Sequence, residues 1–171
     1  MNIFVTDWDP HKSAKVLPDK HVVKMPLETC QMLSIVFSHW YYDWGDDLVK
    51  KKDGTPFKTQ KGAFRNHPCT IWANKTLTNT WWLVSHGIGL CQEYTHRYGK
   101  VHSCQSAIEE AASIIPLRKP TTPKSFTRAM PDEYKHDTSI DTFTAYKNYI
   151  RSKPWAASNY LRDPSRKPDW I

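Results

Sequence analysis

No uninterrupted apolar run in this sequence approaches the roughly 18 residues that span a bilayer. A membrane-spanning protein is therefore not expected, although the hydrophobic fraction of 39% suffices for a globule. The opening stretch, MNIFVTDWDP, lacks a basic segment followed by an apolar core. No secretory signal is expected, and the location expected is cytoplasmic, in the host cytoplasm if phage-encoded. The four cysteines, Cys30, Cys69, Cys91 and Cys104, form no C-x-x-C pair. Cys30 and Cys69 fall in apolar periodicity and read as small core residues. Cys91, His96, His102 and Cys104 could in principle surround zinc tetrahedrally. Their spacing matches no familiar knuckle, and much of it falls within one helix, so neither metal nor cofactor is expected. Internal repeats and long low-complexity linkers are also missing. A length of 171 residues suits one domain spanning 1–171.

Acidic residues are the minority charge. Twenty-four Lys and Arg against 17 Asp and Glu leave a net charge of +7, which favours a polyanionic partner, most often nucleic acid. Eight Trp and eight Tyr are many for this length. Several lie beside cations, as in HRYGK and FRNHP, a pattern that suits base stacking and phosphate contact. The same rings also suit an aromatic core.

The pattern predicts a mostly α-helical, single compact domain of about five or six helices with long irregular loops. NIFV reads as a short strand or an extended arm. Asp9 is a natural N-cap and Pro10 a natural first helical residue. The next helix begins near Pro18-Asp19 and runs to about Trp40. Pro26 interrupts it, with a kink or two helices meeting near Met25 as the expectation. Residues 43–64 are polar and read as an exposed excursion, with a hairpin around Asp53-Gly54. Lys50, Lys51, Lys52, Lys58 and Lys61 make it either a solvated loop or a phosphate-tracking one. A long helical region starts at Pro68, restarts at Thr76 or Thr78, and ends at Gly99. SCQSAIEEAASII is a further helix stopped by Pro116. Residues 116–137 form a Pro-rich loop, TSIDTFTAYKNYIRS the last helix, and 153–171 a basic aromatic tail.

Chemistry concentrates in four places. In DKHVVKMPLETCQML, Val22, Val23, Leu27, Cys30, Leu33 and Val36 supply an apolar side. His21, Lys24, Glu28 and Gln31 recur at i, i+3, i+7 and i+10 and share one stripe. A carboxylate such as Glu28, beside a cation and an imidazole, can stabilise positive charge growing on a sugar or move a proton. The plain alternative is a wet helix face with a Lys24–Glu28 pair. In FRNHP, Arg65, Asn66 and His67 precede a helix opened by Pro68, where free N–H groups and a guanidinium suit a phosphate. In QEYTHRYGK, Arg97 and Lys100 crowd a helix end, where cations also serve the helix dipole. AMPDEYKHD carries Asp132, Lys135, His136 and Asp137 on a loop that either covers a pocket or is solvated.

The order DKHVVKM..E..QML, FRNHP..IW and EYTHRYGK resembles, over nearly the whole chain, a group of small proteins common in phages. More distantly, over about residues 10–100, it resembles the pyrimidine-dimer DNA glycosylase (endonuclease V) superfamily. There a D-x-H pattern precedes the catalytic glutamate, as Asp19 and His21 precede Glu28. An R-N-H-P stretch precedes a tryptophan, as Arg65, Asn66, His67 and Pro68 precede Trp72. The resemblance implies a compact all-α fold, double-stranded DNA as partner, and cleavage of a base–sugar bond. It also implies a nucleophile that is the α-amine of a processed N-terminal threonine, forming a Schiff base that permits β-elimination. This chain departs there. Asn2 is large, and the initiator Met is usually retained before such a residue. Lys24 or Lys20 replacing the amine, attack by water, or altered chemistry on the same fold are the open alternatives.

The expectation is thus a DNA glycosylase acting on a damaged or modified pyrimidine. Glu28, His21 and Lys24 would be catalytic, and Arg65, Asn66, His67, Arg97 and Lys100 would hold phosphate. The rivals are a transferase or hydrolase acting on a nucleotide or modified base, and a non-catalytic phage protein that binds nucleic acid or inhibits a host factor.

Overall fold

Asp9 caps a short helix, α1 (Pro10–Lys15), through side-chain bonds from the His11 and Lys12 N–H groups. Helix α2 follows (Asp19–Trp40), then α3 (Pro68–Lys75), α4 (Leu77–Tyr98), α5 (Gln105–Ile114), α6 (Asp132–Lys135) and α7 (Thr142–Arg151). These elements come from a computed structural model that describes residues 1–40, 49–57, 63–115 and 122–171. The described residues contain no strand, only a bridge between Lys50 and Pro56.

The expected punctuation is present. Thr76 caps α4 by accepting from the Asn79 N–H, and Gly99 ends it in the left-handed region at φ 66°. The last helix starts later than the sequence suggests, at Thr142 rather than Thr138, because Asp141 caps it through the Thr144 N–H. The turn at Asp53-Gly54 forms, with the Thr55 N–H donating to Asp53 and Gly54 at φ 81°. The rest of the 43–64 excursion, apart from residues 49–57, 63 and 64, lies outside the described residues. So do Pro116 and the first part of the 116–137 loop.

Two expectations about α2 are corrected. Pro26 sits inside one continuous helix, so the segment is not two helices meeting near Met25. The apolar side is also turned from the one expected. Val23 and Leu27 are exposed, while Met25 and Met32 join Val22, Cys30, Leu33 and Val36 in the core. Ile3, Phe4 and Val5 of the extended arm are buried, and Phe4 stacks on His21 at the start of α2.

Helix α4 packs against α1, α2, α3 and α5. At Gly87 a Cβ would lie 2.8 Å from Thr29 Cγ2 and 3.1 Å from Ile108 Cδ1, so glycine sets the close approach to α2 and α5. Much of the aromatic content goes to the core. Trp72, Trp82 and Phe126 form a buried cluster joined by Trp8 and Phe143. The tail closes the start of α2: Asn159 accepts from the Asp19 N–H through its carbonyl and from the Lys20 N–H through Oδ1. Asp19 in turn accepts from the Arg162 N–H and pairs with Arg97 at 3.1 Å.

Candidate active site

The first residues of the chain, α2, the start of α3 and the segment from Arg128 to Tyr149 meet around an open pocket of about 400 Å³. Among the described residues, Glu28 is the one carboxylate lining it. Its side chain is 12% exposed, and Oε2 is buried with no hydrogen-bond partner. The group nearest in charge is the α-amine of Met1, 3.7 Å from Oε2.

The amine is held by its neighbours. Asn2 Nδ2 donates to the Ala129 carbonyl at 2.6 Å. Asn2 Oδ1 accepts from the N–H groups of Ile3 and Phe4, at 2.8 and 3.1 Å. That clamp supports a left-handed Phe4 at φ 39°, a costly conformation for an aromatic residue. The bend puts the Phe4 ring on the pocket wall, stacked on His21 at 4.0 Å between ring centres.

His67 lines the pocket from the start of α3. Its Nδ1 accepts from the Cys69 N–H at 3.2 Å, capping the helix. A ring whose Nδ1 accepts carries its proton on Nε2 when neutral. Burial lowers the His67 pKa below the usual histidine value, and the charge of the α-amine lowers it further. His67 is therefore a neutral N–H donor at pH 7.

The sequence-predicted residues separate. Glu28 and His67 line the pocket together. His21 lies behind Phe4 and edge-on to Trp155, with burial and then the Lys153 charge pushing its pKa down to about 3. Lys24 is exposed on α2 and is not among the lining residues. Lys20 sits over the Trp155 ring at 4.7 Å. Arg65 and Asn66 are exposed on a 3-10 turn, Ala63–Asn66, directly before His67. Lys100 is exposed beyond α4. Arg97 is enclosed: its guanidinium donates to Glu93, Asp19 and the carbonyls of Leu17 and Lys15. It has no donor turned to solvent for a phosphate. The D-x-H part of the motif is thus built into packing, Asp19 toward Arg97 and His21 toward Phe4.

The four residues considered for zinc do not converge. His96 meets Asp163 at 2.7 Å, and His102 bonds the Val23 carbonyl. No group of three or more His, Cys, Asp or Glu suited to a metal occurs among the described residues.

Met1, Asn2, Phe4, Arg128 and Tyr149 escaped sequence reasoning as site residues. Lys135 was legible only as part of a charged loop. Their roles depend on long-range contacts, such as Asn2 with Ala129, that leave no local pattern.

The family model described as pyrimidine dimer DNA glycosylase matches residues 1–106. The chain belongs to that family. Glu28, His67 and the arm from Met1 to Phe4 fall inside the matched segment, whereas Arg128, Lys135 and Tyr149 fall after it. No curated protein and no solved structure matches significantly. At the level of the family, then, the activity is DNA glycosylase and the substrate is DNA. No helix among the described residues is long and apolar enough to cross a membrane.

Proposed function

We propose that this pyrimidine dimer DNA glycosylase family member cleaves the N-glycosidic bond of a damaged or modified pyrimidine in double-stranded DNA, using the Glu28 pocket. The observation that carries this reading is the buried, hydrogen-bond-free Glu28 Oε2 lying 3.7 Å from the α-amine of Met1 in an open pocket. An anion so placed has two uses. It takes a proton from the amine, and it stabilises the positive charge that grows on the sugar as the base departs.

The amine then attacks C1′ of the target nucleotide. The C1′–N bond breaks, and its electron pair leaves with the base, which takes up a proton. That proton is the one Glu28 took from the amine, and His67, neutral and carrying its proton on Nε2, lines the same pocket and can donate a hydrogen bond to the departing base. The target must leave the base stack to reach the pocket, and the Phe4 and Tyr149 rings give it apolar faces. Arg65 and Asn66, exposed beside the start of α3, are assigned to a flanking phosphate, and Lys100 to the wider basic surface. Arg97 is left out of that surface because its donors are engaged. His21 supports Phe4 rather than meeting the substrate, and Lys24 contributes charge only.

Glu28→Gln tests the reading. It preserves size and deletes the charge. Loss of a helix-surface ion pair alone changes stability by about 0.3–0.5 kcal/mol and leaves any rate untouched. The proposed role predicts a fall in single-turnover rate on the order of 100-fold or more, about 3 kcal/mol, with DNA affinity retained. A variant as fast as wild type would remove Glu28 from the chemistry.

A further inference from the structure

Residues 128–149 follow the family-matched segment, yet they build one wall of the pocket. Between Arg128 and the start of α7 the wall has little regular structure of its own. Helix α6 is a single turn and buries none of its residues. What shapes it is Arg128. One terminal nitrogen donates to the carbonyls of Tyr134 and Asp137, and the other to the carbonyl of Ile140. Nε reaches Thr142 Oγ1 at 3.4 Å. A planar guanidinium with five donors is suited to gathering carbonyls from one bent segment. The backbone beside it is pinned as well, since Tyr146 Oη accepts from the Ala129 N–H and donates to the Thr127 carbonyl.

The wall carries Lys135, exposed and lining the pocket. Glu28, the only carboxylate among the described residues lining that pocket, faces the α-amine instead. An ammonium group lining the proposed glycosylase pocket, with no second carboxylate among the described lining residues to neutralise it, suits a phosphate.

We propose that Arg128 is a positioning residue that shapes residues 134–140 so that Lys135 takes a DNA phosphate at the pocket. This rests on the proposed function above and assigns part of substrate binding to residues outside the family-matched segment.

The test is binding of wild type, Lys135→Ala, Arg128→Lys and the double variant to an unmodified duplex across a salt series. Loss of one phosphate contact reduces the steepness of log K against log salt by about 0.9. Lys135→Ala is expected to show that reduction with unchanged thermal stability, because the residue is on the surface. Arg128→Lys keeps the charge but cannot hold three carbonyls and a hydroxyl together. It is expected to reproduce the Lys135→Ala loss, and the double variant is expected to bind no more weakly than Arg128→Lys alone. The proposal is overturned if Lys135→Ala retains the wild-type slope, or if Arg128→Lys binds like wild type. Additive losses in the double variant also overturn it, because Lys135 would then act without Arg128. If wild type itself shows no salt-dependent binding to duplex DNA, the DNA reading beneath the proposal fails too, an outcome distinct from failure of the Lys135 variant alone.

Discussion

Asn2 shows how one residue changes meaning between sequence and structure. In the sequence it is a bulky second residue that argues for a retained methionine and so against a processed amine. In the fold its amide bridges Ala129 and the N–H groups of Ile3 and Phe4, setting the α-amine of Met1 beside Glu28. Glu28 was legible because its spacing on a helix is local. Asn2 was not, because its partner lies 127 residues away. Two histidines carry a prediction at this scale. Burial pushes the pKa values of His21 and His86 down to about 3 from an ordinary 6.5. His86 stacks on Trp82, and its Nε2 has no partner. Both rings stay neutral in the folded protein, while the unfolded chain protonates them near pH 6.5. Between about pH 6.5 and 3 the unfolded state therefore binds more protons, and stability falls as pH falls. The slope approaches roughly 1.4 kcal/mol per pH unit for each ring. Urea unfolding at pH 7 and pH 5 should show a marked loss for wild type. The loss should be smaller for His86→Phe, which keeps a flat ring and removes one titrating group. An equal loss in both proteins would contradict the assignment for His86.

Elements were most legible where their ends carry their own chemistry. Asp9 with Pro10, Thr76 and Gly99 mark helix termini through side-chain caps or a left-handed residue, and each lies where the sequence predicts. Helix α6 was missed because four residues have no periodicity to read, and Arg128 rather than a buried face holds its surroundings. The exposure of Val23 and Leu27 was missed for a related reason: which face of α2 is buried depends on the helices it packs against, α3, α4 and α5, and not on its own periodicity alone. The crossing of α4 with α2 and α5 depends on Gly87. Alanine there gains about 1 kcal/mol of helix propensity. Its Cβ would also meet Thr29 Cγ2 at 2.8 Å and Ile108 at 3.1 and 3.2 Å. Overpacking of this kind costs about 1–3 kcal/mol. The net effect of Gly87→Ala in urea unfolding should be destabilising. A variant as stable as wild type would mean that the helices can separate without cost.

The whole molecule combines a net charge of +7 with a set of described rings, Trp72, Trp82, Phe126 and Tyr146 among them, that serve the core rather than a stacking surface. Composition therefore pointed to the partner correctly at the level of the family, through charge more than through aromatics. The site itself joins the two ends of the sequence order. The arm, α2 and α3 come from the segment that matches pyrimidine dimer DNA glycosylase, and the opposite wall comes from residues that follow it. No reading of local motifs could have joined them. The most direct measurement uses the intact wild-type protein with duplexes that each carry one defined lesion, a cyclobutane thymine dimer, an oxidised pyrimidine or a 5-substituted pyrimidine, with an undamaged duplex as control. Abasic sites are read by alkaline strand cleavage, and a parallel reaction contains borohydride. The account predicts abasic sites at the modified pyrimidine of at least one duplex and none in the control. Under borohydride it predicts a covalent adduct that maps by peptide mass to the α-amine of Met1. Intact glycosidic bonds in every duplex would contradict it.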